Sequence, residues 1–130
     1  MRVLLDTQVW LWMQAAPERL GQEARRLIED VDNTLYFSAA SSWEIAIKYV
    51  LGRLPLPEPP EAYAPSRMQT SGVSSLPVEH IHALRVSSLE AHHRDPFDRL
   101  LIAQAQLERV PLLSADPVFD SYEVEVIPAA

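Results

Sequence analysis

Four carboxylates stand where a short apolar run ends or a helix begins. They are Asp6 behind Arg2-Val3-Leu4-Leu5, Glu44 in Ser41-Ser42-Trp43-Glu44, Asp98 in Asp95-Pro96-Phe97-Asp98-Arg99, and Asp116 behind Pro111-Leu112-Leu113-Ser114. In an open α/β sheet such positions face the ligand crevice, so acids distant in sequence can converge there. Converging acids repel: at ~4 Å and an effective dielectric of ~20, each unit-charge pair costs about 4 kcal/mol. A fold that gathers four of them needs a cation.

Three of the four acids also have a plain structural reading. Glu44 follows Ser41 by three residues, the spacing of a capping box that satisfies the free amides of a helix start. Asp98 stands in the same relation to Asp95, and Asp116 precedes Pro117, where it can initiate a turn. Asp6 differs, because an acid at the end of a buried parallel strand has no routine capping duty.

The segments that must position these acids alternate along the chain. Val3 to Leu5 reads as a short buried strand and Val9 to Met13 as the heart of an aromatic-rich helix that Pro17 breaks. Residues 18 to 31 place Leu20, Ala24, Leu27, Ile28 and Val31 on one helical face. Thr34 to Phe37 is a second strand. A helix follows from Ser41, with Gly52 positioned to close it. The prolines between Leu54 and Pro65 rule out a long uninterrupted helix and leave a connector with one short helix near Glu61 to Gln69. A strand at Val73 to Leu76 and a helix at Val78 to Ser87 come next. Asp95-Pro96 opens a strong helix, with proline at the tolerated first position, and strands at Val110 to Ser114 and Val124 to Ile127 close the chain. Such alternation implies an α/β fold, a central parallel sheet flanked by helices on both faces.

Composition sets the outer limits. A chain of 130 residues, 48% hydrophobic and 22% charged, fits one globular domain spanning 1–130. The absence of cysteine excludes thiolate metal sites and cysteine nucleophiles and agrees with a cytoplasmic location. Any metal must be held by oxygen or imidazole. Residues 1–6 meet an acid too early for a secretory segment, and no apolar run is long enough to span a bilayer, so no membrane partner is expected. The net charge of −7 argues, taken alone, against nucleic acid. Cations held by the acids would cancel part of that deficit where phosphate would sit. Arginine outnumbers lysine ten to one, with Lys48 the sole lysine, and arginine favours bidentate phosphate or carboxylate contacts.

The strings Leu4-Leu5-Asp6-Thr7, Ser41-Ser42-Trp43-Glu44-Ile45-Ala46-Ile47-Lys48, His93-Arg94-Asp95-Pro96-Phe97-Asp98-Arg99-Leu100-Leu101-Ile102-Ala103-Gln104-Ala105 and Leu113-Ser114-Ala115-Asp116 together resemble a PIN domain. More narrowly, they are similar to the VapC-type toxins of bacterial type II toxin–antitoxin systems. The resemblance covers nearly the whole chain, and Asp-Pro-Phe-Asp-Arg with its following helix is its most specific part. It implies a PIN-like fold with one acidic pocket that binds Mg²⁺ or Mn²⁺ through Asp6, Glu44, Asp98 and Asp116, with Asp6 and Asp98 as direct ligands. It further implies endonucleolytic hydrolysis of an RNA phosphodiester, a homodimer, and a cognate antitoxin whose C-terminal segment blocks the pocket.

Around the acids, Thr7 and Ser114 can hydrogen-bond a pocket carboxylate or serve as a helix cap and a strand-end hydroxyl. Asp95 reads as an N-cap. Arg94 and Arg99 flank the acids and can meet phosphate; Arg99 can equally pair within the fold. His92 and His93 lack the spacing of a zinc motif and read as structural or solvent-facing. Trp10, Trp12, Trp43 and Phe97 read as core or helix-packing residues. Two rival enzyme classes fit poorly. A phosphoacceptor receiver needs a late strand-end lysine, whereas Lys48 lies in a helix, and an aspartyl phosphatase needs an acid where Gln8 stands. The non-enzymatic alternative is a PIN-fold module that only binds a partner protein, which would have no reason to maintain four repelling acids.

Overall fold

The computed structural model describes residues 1–130. Five strands form one parallel sheet: β1 (Arg2–Leu5), β2 (Thr34–Ser38), β3 (Ser74–Leu76), β4 (Leu112–Ser114) and β5 (Val126–Pro128), in the order β3-β2-β1-β4-β5. Six α-helices accompany them: α1 (Thr7–Ala15), α2 (Gln22–Glu29), α3 (Ala39–Val50), α4 (Pro60–Ser71), α5 (His80–Arg85) and α6 (Pro96–Glu108). None is long and apolar enough to cross a membrane.

The apolar run Val3-Leu4-Leu5 is fully buried because β1 is the central strand and both of its faces are covered. Successive side chains of a strand point to opposite faces. Val3 and Leu5 therefore join Phe37, Val9, Trp10, Ala24 and Ile45 in one core, under α1 to α4. Leu4 joins Leu112, Leu101, Ile102 and Phe119 in the other, under α6. Trp10 anchors the first core, its ring 4.2 Å from that of Phe37 and edge-on to Tyr63 at 6.1 Å.

The chain leaves β1 toward β2 and β3 on one side, then returns to place β4 and β5 on the other. Strand order thus reverses between β1 and β4, and the crevice opens beyond their carboxyl ends. Asp6 follows β1 directly, and Ser114 ends β4 opposite it, one step past the Leu5–Leu113 pairing.

Local expectations fail at two places and are extended at a third, each for a physical reason. The helix expected over 18–31 is split: Pro17–Arg19 forms a 3₁₀ turn and α2 starts only after Gly21. Gly21 donates to the carbonyl of Ala129 at 2.9 Å, and a Cβ there would lie 3.1 Å from the backbone of Ala130, so the C-terminal strand end occupies the space a continuous helix needs. Val31, beyond the helix, is 94% exposed. The short helix expected near Glu61 to Gln69 forms as α4 and is extended to twelve residues, running through Pro65. Pro65 lies on the exposed face, where water can satisfy the carbonyl it leaves unpaired, while Tyr63 and Ala64 bury the opposite face. Finally, α3 starts at Ala39 with Ser38 as its N-cap, accepting from the Ala40 amide at 3.0 Å. Ser41 and Glu44 are therefore inside the helix and form no capping box, whereas Gly52 closes α3 with φ +72° as expected.

Arg109 ends α6 with φ 56°, in the left-handed region that favours glycine. A left-handed residue with a Cβ costs about 1–2 kcal/mol, and glycine's extra chain entropy offsets roughly half of that. Arg109→Gly is expected to raise the unfolding free energy by about 0.5–1 kcal/mol, read as a higher urea midpoint at unchanged slope.

Candidate active site

Asp6, Glu44, Asp98 and Asp116 all line one cavity of about 520 Å³ beyond the carboxyl ends of β1 and β4. Asp6 occupies the N-cap position of α1 but makes no side-chain cap bond. Its Oδ2 instead accepts from the Ser114 hydroxyl at 2.8 Å, and Ser114 Oγ accepts from the Asp116 amide at 3.0 Å. One buried hydroxyl thereby ties the carboxylate after β1 to the loop after β4. Thr7, buried beside Asp6, donates to Ser41 Oγ at 2.7 Å and pins the start of α1 to α3. That contact fixes α3 where Glu44, one turn further on, reaches the cavity.

Glu44 is 5% exposed. Its Oε2 accepts from Lys48 on the next turn, while Oε1 is buried without a partner. Asp98 is delivered by the first turn of α6, whose start is fixed by Asp95 accepting from the amides of Phe97 at 2.9 Å and Asp98 at 3.2 Å. Phe97 packs edge-on against Trp43 at 4.8 Å, joining α6 to α3. Asp98 Oδ2 lies 2.7 Å from His93 Nε2. Asp116 is exposed and caps the 3₁₀ turn Pro117–Ser121 by accepting from Val118 N at 3.0 Å, so its turn role and its place in the cavity coexist.

The arginines separate. Arg99 does not line the cavity. Its guanidinium donates to the carbonyls of Val86, Leu89, Glu90 and His93 and to the Tyr122 hydroxyl, so the expected phosphate contact gives way to bracing the loop before α6. Arg94 is exposed and lies outside the lining as well. The basic side chains that do line the cavity are Lys48, Arg53 and His93.

Burial pushes the Asp6 carboxyl up to about 7; the Ser114 hydroxyl pulls against this, and the charges of Asp98, Glu44 and Asp116 add to it. Burial likewise raises Asp98 to about 6, opposed by the His93 bond and reinforced by Asp95 and Glu44. For Lys48, burial works against the charge, but the bond to Glu44 and the field of Glu44, Asp95 and Asp98 outweigh it and raise its pKa. Dehydrated carboxylates facing one another, with a buried Glu44 oxygen lacking any donor, form an oxygen-rich set suited to a hard divalent cation. His93, Asp98 and Asp116 offer ligand atoms that lie within 4.8 Å of one another.

The sequence model of the PIN domain matches residues 3–125. The chain belongs to the PIN domain family. It is 53% identical over 60 residues to Ribonuclease VapC16 of Mycobacterium tuberculosis (strain ATCC 25618 / H37Rv), a stretch that spans 46% of this chain and 43% of that protein. Its fold matches VapBC2 from Rickettsia felis bound to a DNA fragment from their promoter, with TM-score 0.72 and 13% identity over all of both chains. It also matches a toxin–antitoxin complex from Klebsiella pneumoniae, with TM-score 0.60 and 16% identity over 96% of this chain and 95% of that one. At these identities the two structures share the fold with this PIN domain.

Sequence reasoning missed His93, Lys48 and Arg53. Lys48 could have been found from its i, i+4 spacing to Glu44, which places both on one helical face. The position of His93 five residues before Asp98 carries a weaker signal, since it depends on how the intervening loop turns. Arg53 has no local signature.

For Asp6 and Asp98 the folded-state pKa lies above the unfolded one. The stability they contribute is therefore complete below about pH 4 and is lost as pH rises through their folded values, near 6 and 7. Thermal melting of the metal-free protein should show this decline between about pH 4 and 7, flattened in Asp6→Asn. Above neutral pH, Mg²⁺ should raise the melting temperature of the wild type and leave that of Asp6→Asn nearly unchanged.

Proposed function

We propose that this PIN domain is a metal-dependent endoribonuclease, the toxin of a type II toxin–antitoxin pair acting in the cytoplasm. The observation that carries this reading is the convergence of Asp6, Glu44, Asp98 and Asp116 on one cavity in which a buried Glu44 oxygen lacks a donor. Asp6 and Asp98 would hold Mg²⁺ or Mn²⁺ directly, with Glu44 and Asp116 completing the set. A divalent cation bound there polarises a phosphodiester oxygen and eases deprotonation of water at neutral pH.

The chain's own groups supply the rest. Glu44 or Asp116 would order the cation or orient the attacking water; Glu44 keeps one carboxylate oxygen without a donor, because Lys48 occupies only the other. Ser114 holds Asp6 in place, and Thr7 holds α1 against α3, so the acids keep their spacing as substrate enters. Lys48 and Arg53 stand on the cavity wall where they can meet RNA phosphate, with the exposed Arg94 a further contact outside it.

The 53% identity to a ribonuclease over 60 residues supports the choice of RNA as substrate. The fold shared with a toxin–antitoxin complex supports an antitoxin partner. A net charge of −7 favours an antitoxin segment carrying basic side chains, and we extend the same reading to a homodimer.

Mapping RNA 5′ ends after controlled induction tests this. New ends are expected with the wild type and should disappear with Asp6→Asn; identical new ends with both would overturn the assignment of Asp6. In purified form, Arg53→Ala should raise KM for the cleaved RNA by roughly fivefold, about 1 kcal/mol, with kcat little changed. It should also flatten the salt dependence of binding, since one phosphate contact is lost.

A further inference from the structure

We infer that His93 is a nitrogen ligand of the bound cation, which biases the site toward Mn²⁺ and other first-row transition ions over Mg²⁺. The inference rests on the metal-dependent reading above and adds to the four carboxylates a donor of different chemistry.

The geometry favours this over a merely structural imidazole. His93 Nε2 lies 2.7 Å from Asp98 Oδ2, close to the roughly 3 Å that separates adjacent ligand atoms around one six-coordinate ion. Both side chains are largely covered, at 25% and 14% exposure, and both line the cavity where Glu44 Oε1 lacks a donor. The ring is presented by a braced loop, since Arg99 Nη1 donates to the His93 carbonyl at 3.1 Å as well as to the carbonyl of Glu90 at 2.9 Å. Arg99 is thus a positioning residue for His93.

The other histidines near α6 are engaged elsewhere. His92 pairs with Glu90 and packs its ring against Tyr122 at 5.2 Å, and His82 is buried against Glu108 at 3.0 Å. His93 is the one imidazole that lines the cavity.

Imidazole and carboxylate differ in which ions they favour. Mg²⁺ is hard, dehydrates reluctantly and is served by oxygen alone. Imidazole nitrogen is a better donor to first-row transition ions, and one such ligand in a carboxylate set shifts selectivity their way. To coordinate, the neutral ring carries its proton on Nδ1 and turns the Nε2 lone pair to the ion, while Asp98 exchanges the imidazole bond for the same ion.

Electron spin echo spectroscopy of Mn²⁺ bound to the full chain reads this directly, because a coordinated imidazole imprints a ¹⁴N modulation on the echo. Wild type, His93→Asn and Asp6→Asn are compared, with metal-free melting to confirm folding and His93→Gln as substitute should the asparagine variant not fold. The expected result is a ¹⁴N modulation in the wild type that disappears without His93. Mn²⁺ affinity should fall at least roughly tenfold and Mg²⁺ affinity, by competition, clearly less. Mn²⁺ bound in an Asp6-dependent manner without ¹⁴N modulation, a modulation that survives His93→Asn, or an unchanged Mn²⁺ to Mg²⁺ ratio would each overturn the inference while leaving the metal site standing. A wild type that binds no Mn²⁺ at all would remove both this inference and the metal-dependent reading beneath it.

Discussion

Dehydrated negative charge at the carboxyl edge of the sheet is the constraint around which the other contacts are arranged. Asp6 is 7% exposed and ends the central strand, so it can move little without disturbing the most deeply buried segment of the protein. Raising its pKa from 3.8 to about 7 corresponds to about 4 kcal/mol of disfavour for the charged form. Ser114 offsets part of this by donating to the carboxylate, and it does so from a strand that pairs with β1, where its position is fixed by backbone bonds. The remaining disfavour is what the proposed divalent cation would relieve, and cation affinity and apo-state instability would then have one physical origin.

Glu44 and Asp98 arrive on helices whose starts are fixed by capping and side-chain bonds. Asp95 caps α6 and so sets the direction in which Asp98 projects; Ser38 caps α3, and Thr7 ties Ser41, three residues before Glu44, to α1. Arg99 holds four carbonyls of the loop leading into α6, so a residue that neighbours the acids in sequence is engaged with backbone carbonyls outside the cavity lining. None of the four acids is held by a side-chain bond to another of the four: Asp6 is held by Ser114, Glu44 by Lys48 and Asp98 by His93 and the Asp95 cap. This is the arrangement expected of a preorganised site, in which supporting contacts hold charged groups at a spacing they would not choose.

Charge is distributed unevenly. The chain is acidic as a whole, yet Lys48, Arg53 and His93 share the cavity wall with the carboxylates. A mixed wall suits a ligand that brings both phosphate and a cation, since the acids retain the cation and the basic groups meet the phosphate. The net charge of −7 averages over this local pairing of opposite charges and does not describe it.

The linear pattern was sufficient for the features that near-neighbour sterics and side-chain periodicity control. Buried strands within Val3 to Leu5 and Val110 to Ser114, the cap at Asp95-Pro96, the closure at Gly52 and the boundary positions of Asp6, Asp98 and Asp116 are all of this kind, and so is the family resemblance that the PIN domain match bears out. It failed where a distant segment intervened, as when the C-terminal strand end splits the helix after Pro17. Only the tertiary structure decided that Ser114 meets Asp6 across 108 residues of chain, that Glu44 serves no cap, that Arg99 is spent on carbonyls, and that His93 and Arg53 join the cavity. Those outcomes depend on strand order and on where helices land against the sheet, and such long-range geometry leaves no periodic trace in the residues it brings together.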